Sequence, residues 1–198
     1  MKKERFMIFT ADDFGISPQA DERILRLAEA GVIDRVAVMT QGTATKESLD
    51  RLVKSGVKID LHAELREDID PNRTLKAGVF GRVVFFIRNF LFGKNRVSLV
   101  EKRWESQIRD FYDLFGRYPD GFNSHEHTHF FSPYFGISVR LAKRYDISFL
   151  RFGREYSSNS TLVASILNAL RFLDRRTFLR SGLDSSDRMI SFDWIGTL

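Results

Sequence analysis

No cysteine occurs anywhere in the chain. That excludes a disulfide framework and thiolate-bound zinc, and it fits a reducing compartment. No apolar run reaches the ~18 residues that a membrane-spanning helix needs. The opening Met1-Lys2-Lys3-Glu4-Arg5-Phe6 lacks the apolar core of a secretory signal. Together these absences point to a cytoplasmic protein. There is also no internal repeat, no low-complexity tract and no block of basic residues. Histidine is scarce, with four in 198 residues, so where the four fall is informative.

The chain is long enough for one domain spanning residues 1–198, and 43% hydrophobic residues supply a core. A net charge of +5 and a pI near 9.6 would suit nucleic acid, anionic lipid or an acidic glycan. The basic residues are dispersed and no nucleic-acid motif is present, so the charge reads as solvated helix faces and no nucleic-acid partner is expected.

Hydrophobic patterning alternates strand with helix. Residues 5–12 read as a buried parallel strand through Phe6, Met7, Ile8 and Phe9. Ser17-Pro18 reads as a helix cap followed by proline, with Ile24, Leu27 and Ala28 inward and Gly31 as the stop. Strands are expected at 36–40 and 57–62, around a helix at 46–55 with Leu49, Leu52 and Val53 inward. Ser98 and Glu101 have capping-box spacing. They precede a 3.6-period stripe of Val100, Trp104, Ile108, Phe111, Tyr112 and Phe115. Strands follow at 121–124 and 147–152, with a cap-then-proline helix start at Ser132-Pro133 between them. This alternation predicts parallel α/β structure. Residues 79–92 and 161–183 are apolar but studded with arginine; such stretches suit a membrane surface, a cover over a site, a second subunit or an ordinary amphipathic helix.

Chemistry-bearing residues cluster at the predicted strand ends. Asp12 and Asp13 follow the first strand, and His62 ends the third. His125, His127 and His129 follow the strand at 121–124, and Arg151 sits near the end of the next. Parallel strands share one C-terminal face, where such folds build their sites. Carboxylates and imidazoles gathered there suit a divalent metal. Such a metal lowers the pKa of water, and a carboxylate left free can take the proton. If the segment 125–129 is extended, its three histidines share one side. Taken singly, an Asp pair after a strand is often a turn, a lone histidine is usually structural and His-x-His-x-His can be adventitious. Their joint placement favours a site.

The motifs resemble those of the YdjC-like carbohydrate deacetylases, a family that includes chito-oligosaccharide deacetylases and a hopanoid-biosynthesis-associated branch. Thr10-Ala11-Asp12-Asp13-Phe14-Gly15-Ile16-Ser17 resembles the opening motif, and Leu61-His62 the second. Asn123-Ser124-His125-Glu126-His127-Thr128-His129 resembles the histidine block, with Glu126 where Gln is usual. Glu105-Ser106-Gln107 and Leu150-Arg151 resemble two further positions. The resemblance implies a (β/α) barrel of the glycoside hydrolase/deacetylase type and hydrolysis of an N-acetyl group on a sugar, from a chito-oligosaccharide or a lipid-linked glycan. It implies one divalent ion, Mg²⁺ or Zn²⁺, on Asp13, His62 and His125, with Asp12 as general base. His127 or His129 would be the acid, and Gln107 and Arg151 would support the site or touch substrate.

The family's late Glu-Leu-Met-x-His-Pro-Gly-like segment has no counterpart here. The expected barrel is therefore incomplete at its C-terminus, and exposed core and edge would favour a homo-oligomer. Two other readings stay open: a metal-dependent phosphoesterase, and a non-catalytic domain that binds glycan or touches a membrane peripherally.

Overall fold

The structure, a computed structural model, describes residues 7–65, 96–156 and 161–190. The arginine-bearing stretch 79–92 lies outside the described residues. Strands β1 (Thr10–Phe14), β2 (Arg35–Val38), β3 (Lys58–Ala63), β4 (Gly121–Ser124) and β5 (Phe149–Leu150) form one sheet in sequential order, and every pairing is parallel. Helices α1 (Pro18–Glu29), α2 (Lys46–Lys54), α3 (Val97–Phe115) and α4 (Ser132–Arg144) fall between strands. Sequential parallel order makes every crossover turn the same way, which puts the helices on one face of the sheet. The described residues show this α/β sheet; they do not show a closed barrel. A smaller parallel pair, β6 (Arg154–Glu155) and β7 (Arg188–Met189), brackets the long helix α5 (Thr161–Ser181).

The two-residue period of a strand assigns the faces. Phe122 meets Trp104 of α3 with ring centroids 5.4 Å apart. Its register partner Leu61, and Ile59, Val36 and Val38 in step with it, share that buried helix-side face. Arg35, Asp60, His62, Gly121 and Asn123 therefore face the other way. Low on that side, Arg35 and Asp60 form a buried bidentate pair at 2.9 and 2.5 Å, and the Arg35 guanidinium lies 4.2 Å from the Phe149 ring centre. Gly121 makes room for them, since a Cβ there would come within 2.6 Å of both Arg35 Nη2 and Asp60 Oδ1.

Several local expectations are corrected. Met7, Ile8 and Phe9 are exposed coil rather than buried strand. The Phe9 carbonyl instead accepts from both Asp34 and Arg35 backbone N–H groups. Leu27, Val53 and Tyr112 point outward. Ser17 caps α1 as expected. The Ser98 capping box does not form, because α3 already begins at Val97 after an uncapped Arg96. Ser132 lies inside α4 and donates its hydroxyl to Asp174 of α5.

Replacing Gly121 with Ala should lower unfolding stability by about 2 kcal/mol or more, because the buried ion pair must move. Denaturant titration measures this, and an unchanged midpoint would contradict the packing.

Candidate metal centre

The first strand does not end as a regular strand. Its pairing with β2 slips between Ala11 and Phe14, and Asp13 takes a left-handed φ of 63°. Such a conformation is uncommon outside glycine and costs on the order of 1–3 kcal/mol. Here it is held from several sides. Ile16 N–H donates to the Asp13 carbonyl, Met39 N–H to the Phe14 carbonyl, and Gly15 N–H to the buried Asp21 carboxylate at 2.6 Å. Gly15 (φ 102°) and Gly42 let the next loop close in, since a Cβ on Gly42 would sit 2.2 Å from the Gly15 carbonyl oxygen. The slip cancels the alternation that would send adjacent side chains to opposite faces, so both carboxylates reach one rim.

Asp13 Oδ1 lies 3.0 Å from His62 Nε2 and 2.9 Å from His125 Nδ1. One donor atom from each of the three residues lies within 4.8 Å of the others. Donors bound to one small ion at 2.0–2.2 Å stand about 3.3 Å apart, so the cluster is of the right size. His62 Nδ1 is 2.6 Å from Asn123 Oδ1, while Asn123 Nδ2 donates to Asp12 at 3.2 Å. That second bond fixes the amide orientation, so Nδ1 carries the proton and the Nε2 lone pair faces Asp13. A borrowed carbonyl that sets an imidazole's tautomer in this way is the usual support for a metal-binding histidine. Asp13, His62 and His125 thus fit a divalent metal.

Asp12 stands apart from the trio. Arg151 grips it with two bonds of 2.5 and 2.7 Å. Burial works to raise its pKa, but the Arg151 charge and hydrogen bonds prevail and hold the carboxyl well below the usual range. Burial likewise opposes ionisation of Asp13 and is outweighed by the bonds to His125 and His62. His62 responds in the opposite sense: burial disfavours its charge, yet Asp13 and Asp12 raise it above its ordinary value.

The histidine block is not extended. Residues His125–Phe130 form a 3₁₀ turn, with His127 at a φ of 54°. Ser124 Oγ accepts from His129 N–H and from the Thr128 hydroxyl, folding the segment back on itself. The three side chains therefore separate. His125 joins Asp13. His127 presents a buried Nδ1 with no hydrogen-bond partner among the described residues. His129 is fully buried, with Nδ1 2.7 Å from Ser124 Oγ and Nε2 2.9 Å from the Arg151 carbonyl. Both of its nitrogens are engaged, Nε2 in holding the backbone that carries Arg151 and Nδ1 in holding the Ser124 hydroxyl. Gln107, 1% exposed, donates to the Glu64 carbonyl and accepts from the Glu64 N–H, so it braces the end of β3 instead of lining the rim. Sequence patterning alone assigns no role to Asn123 or Asp21. Cross-strand register with His62 is the signal that would have found Asn123.

A model of the YdjC-like protein family matches residues 6–198. The chain belongs to that family. It is 27% identical to a human carbohydrate deacetylase over 75% of this chain and 49% of that protein. With a carbohydrate deacetylase of Halalkalibacterium halodurans the identity is 29%, over 71% of this chain and 61% of the relative. With a chitooligosaccharide deacetylase of an Enterobacter species it is 26%, over 82% and 65%. The chain spans about half the length of the first of these curated relatives. An Enterococcus faecalis structure described as a cellobiose-phosphate cleavage protein superposes with a TM-score of 0.55 at 22% identity, over 82% of this chain and 63% of that one, and so supports the fold.

Burial, and then the Arg151 charge, push His127 down to about 4; burial and the neighbouring His127 push His129 well below its ordinary value. Unfolding returns each imidazole to its ordinary value of 6.5, so between pH 6.5 and 4 the unfolded chain binds more protons. Stability from these groups is present above that window and is lost as pH falls through it. In metal-free protein, His127→Gln should flatten this loss, as read by denaturant unfolding at stepped pH. Parallel pH profiles for variant and parent would contradict a buried, neutral His127.

Proposed function

We propose that this YdjC-like protein is a metal-dependent hydrolase that removes N-acetyl groups from an acetamido sugar, with Mg²⁺ or Zn²⁺ held by Asp13, His62 and His125. The observation that carries the reading is the three-residue donor cluster standing beside a separate, arginine-anchored carboxylate on the same rim. The relatives named carbohydrate deacetylase and chitooligosaccharide deacetylase support the substrate class. Two imidazoles in the donor set favour zinc over magnesium.

When bound, the ion polarises the acetamide carbonyl and makes water a stronger acid. The chain supplies the rest. Asp12 takes the proton of the attacking water. Arg151 keeps it ionised and aimed, which also makes it a weak base that acts only on water already acidified. Asn123 ties Asp12 to His62, so base and metal-binding imidazole hold one spacing. His127 is neutral at neutral pH, so it acts as the acid only after taking up the proton that Asp12 removes from water, which it then passes to the nitrogen as the C–N bond breaks. His129 keeps Arg151 in place, and we assign the acid role to His127 alone.

Acetate release from N,N'-diacetylchitobiose, with metal stripped and then restored, tests the reading. Asp12→Asn should keep metal affinity and lower turnover by roughly 10²–10⁴-fold, whereas Asp13→Ala should lose both. Full turnover in Asp12→Asn would refute the base assignment.

A further inference from the structure

Charge is distributed unevenly over this molecule. In the sheet domain most described arginines have a carboxylate within bonding distance: Arg51 spans Glu22 and Glu29, and Arg140 and Arg144 hold Glu101 and Glu105. Beyond residue 151 this stops. Arg154, Arg171, Arg175, Arg176, Arg180 and Arg188 form no ion pair among the described residues. The one acid on α5, Asp174, is buried and receives the Ser132 hydroxyl. Asp184 and Asp187 follow the helix in the exposed loop before β7; Asp187 acts on the Arg171 charge, but neither forms an ion pair among the described residues. Arg154 and Arg188 both lie against the ring of Tyr156, 5.2 and 5.6 Å from its centre. Burial, and then Arg175 and Arg154, push Arg171 below its ordinary value, as crowded like charges do.

The same surface is apolar. Phe172, Leu173 and Leu179 are 76%, 67% and 65% exposed. Phe172 and Leu179 are seven residues apart, with Arg175 and Arg176 between them at three- and four-residue spacing, so all four share a face. The opposite face of α5 packs inward, with Leu167 and Asp174 buried and Asp174 accepting from Ser132 of α4; nearer its start the helix is tied to β6 by Asn168, which brackets the Glu155 backbone. The helix is about 32 Å long at 1.5 Å per residue. None of the described helices is long and apolar enough to cross a membrane.

We propose that the outer face of α5 docks on an anionic lipid surface, with Phe172 and Leu179 entering the interface and Arg175, Arg176 and Arg180 meeting lipid phosphates. A lipid interface takes apolar side chains and cations side by side. Nucleic acid would pair with the arginines but gives exposed leucines nothing to pack on. A second copy of the chain would bring one set of unpaired arginines against another, which disfavours self-pairing.

The test is co-sedimentation of the full chain with vesicles of phosphatidylcholine alone or mixed with phosphatidylglycerol, at low and raised salt. Binding should require the anionic lipid and weaken with salt. It should fall at least about tenfold in Arg175→Glu/Arg176→Glu/Arg180→Glu and in Phe172→Ser/Leu179→Ser. Far-UV circular dichroism verifies folding, and Arg176→Glu alone serves as the milder variant. Equal binding to neutral vesicles, or no binding by the parent chain, overturns the proposal. So does a parent dimer that the Phe172→Ser/Leu179→Ser change dissociates while vesicles capture nothing. Acetate release is not the readout, so failure here leaves the deacetylase reading untouched.

Discussion

The left-handed turn at Asp13 is the constraint on which the site depends. A regular strand would have sent Asp12 and Asp13 to opposite faces of the sheet, one toward α1 and α2 and one toward the rim. The slip at Ala11–Phe14 places both on the rim, and the chain fixes it with the buried Asp21 carboxylate, two strand-to-loop backbone bonds and the contact between Gly15 and Gly42. Strain kept in place by so many bonds is what a binding site needs, because the donors are aimed before any ligand arrives.

From that turn a single chain of contacts runs across the sheet: Arg151 to Asp12, Asp12 to Asn123, Asn123 to His62, His62 to Asp13, Asp13 to His125. It divides labour between adjacent carboxylates. Asp13 is surrounded by imidazoles and Asp12 by a guanidinium, so one is suited to share a cation and the other to stay anionic beside it. Below, the Arg35–Asp60 pair fills the polar side of the sheet, so the strand ends rest on packed groups.

Much of this was legible in the residues. The strand–helix alternation and the parallel sheet it predicts follow from patterning that needs only local spacing, and the gathering of Asp13, His62 and His125 from motifs that resemble those of the family. What was not legible depends on distant partners. His125, His127 and His129 have the two-residue spacing of a strand, but the segment is a 3₁₀ turn in which the Ser124 hydroxyl accepts from His129 N–H and from the Thr128 hydroxyl. Asn123 looked like an ordinary strand residue until register set it across from His62. Met7 to Phe9 have the composition of a buried strand, yet they form exposed coil, with Phe9 tied through its backbone to Asp34 and Arg35. The rim itself was readable; the roles within it came from contacts between residues up to 139 positions apart.

The bend at Asp13 gathers one carboxylate and two imidazoles at a spacing that suits a divalent ion. X-ray absorption spectroscopy of the zinc-loaded protein tests it most directly. The expected result is a low-coordinate site with two imidazole scatterers at about 2.0–2.1 Å and oxygen making up the rest. A shell of oxygens alone, or three imidazoles, would contradict it.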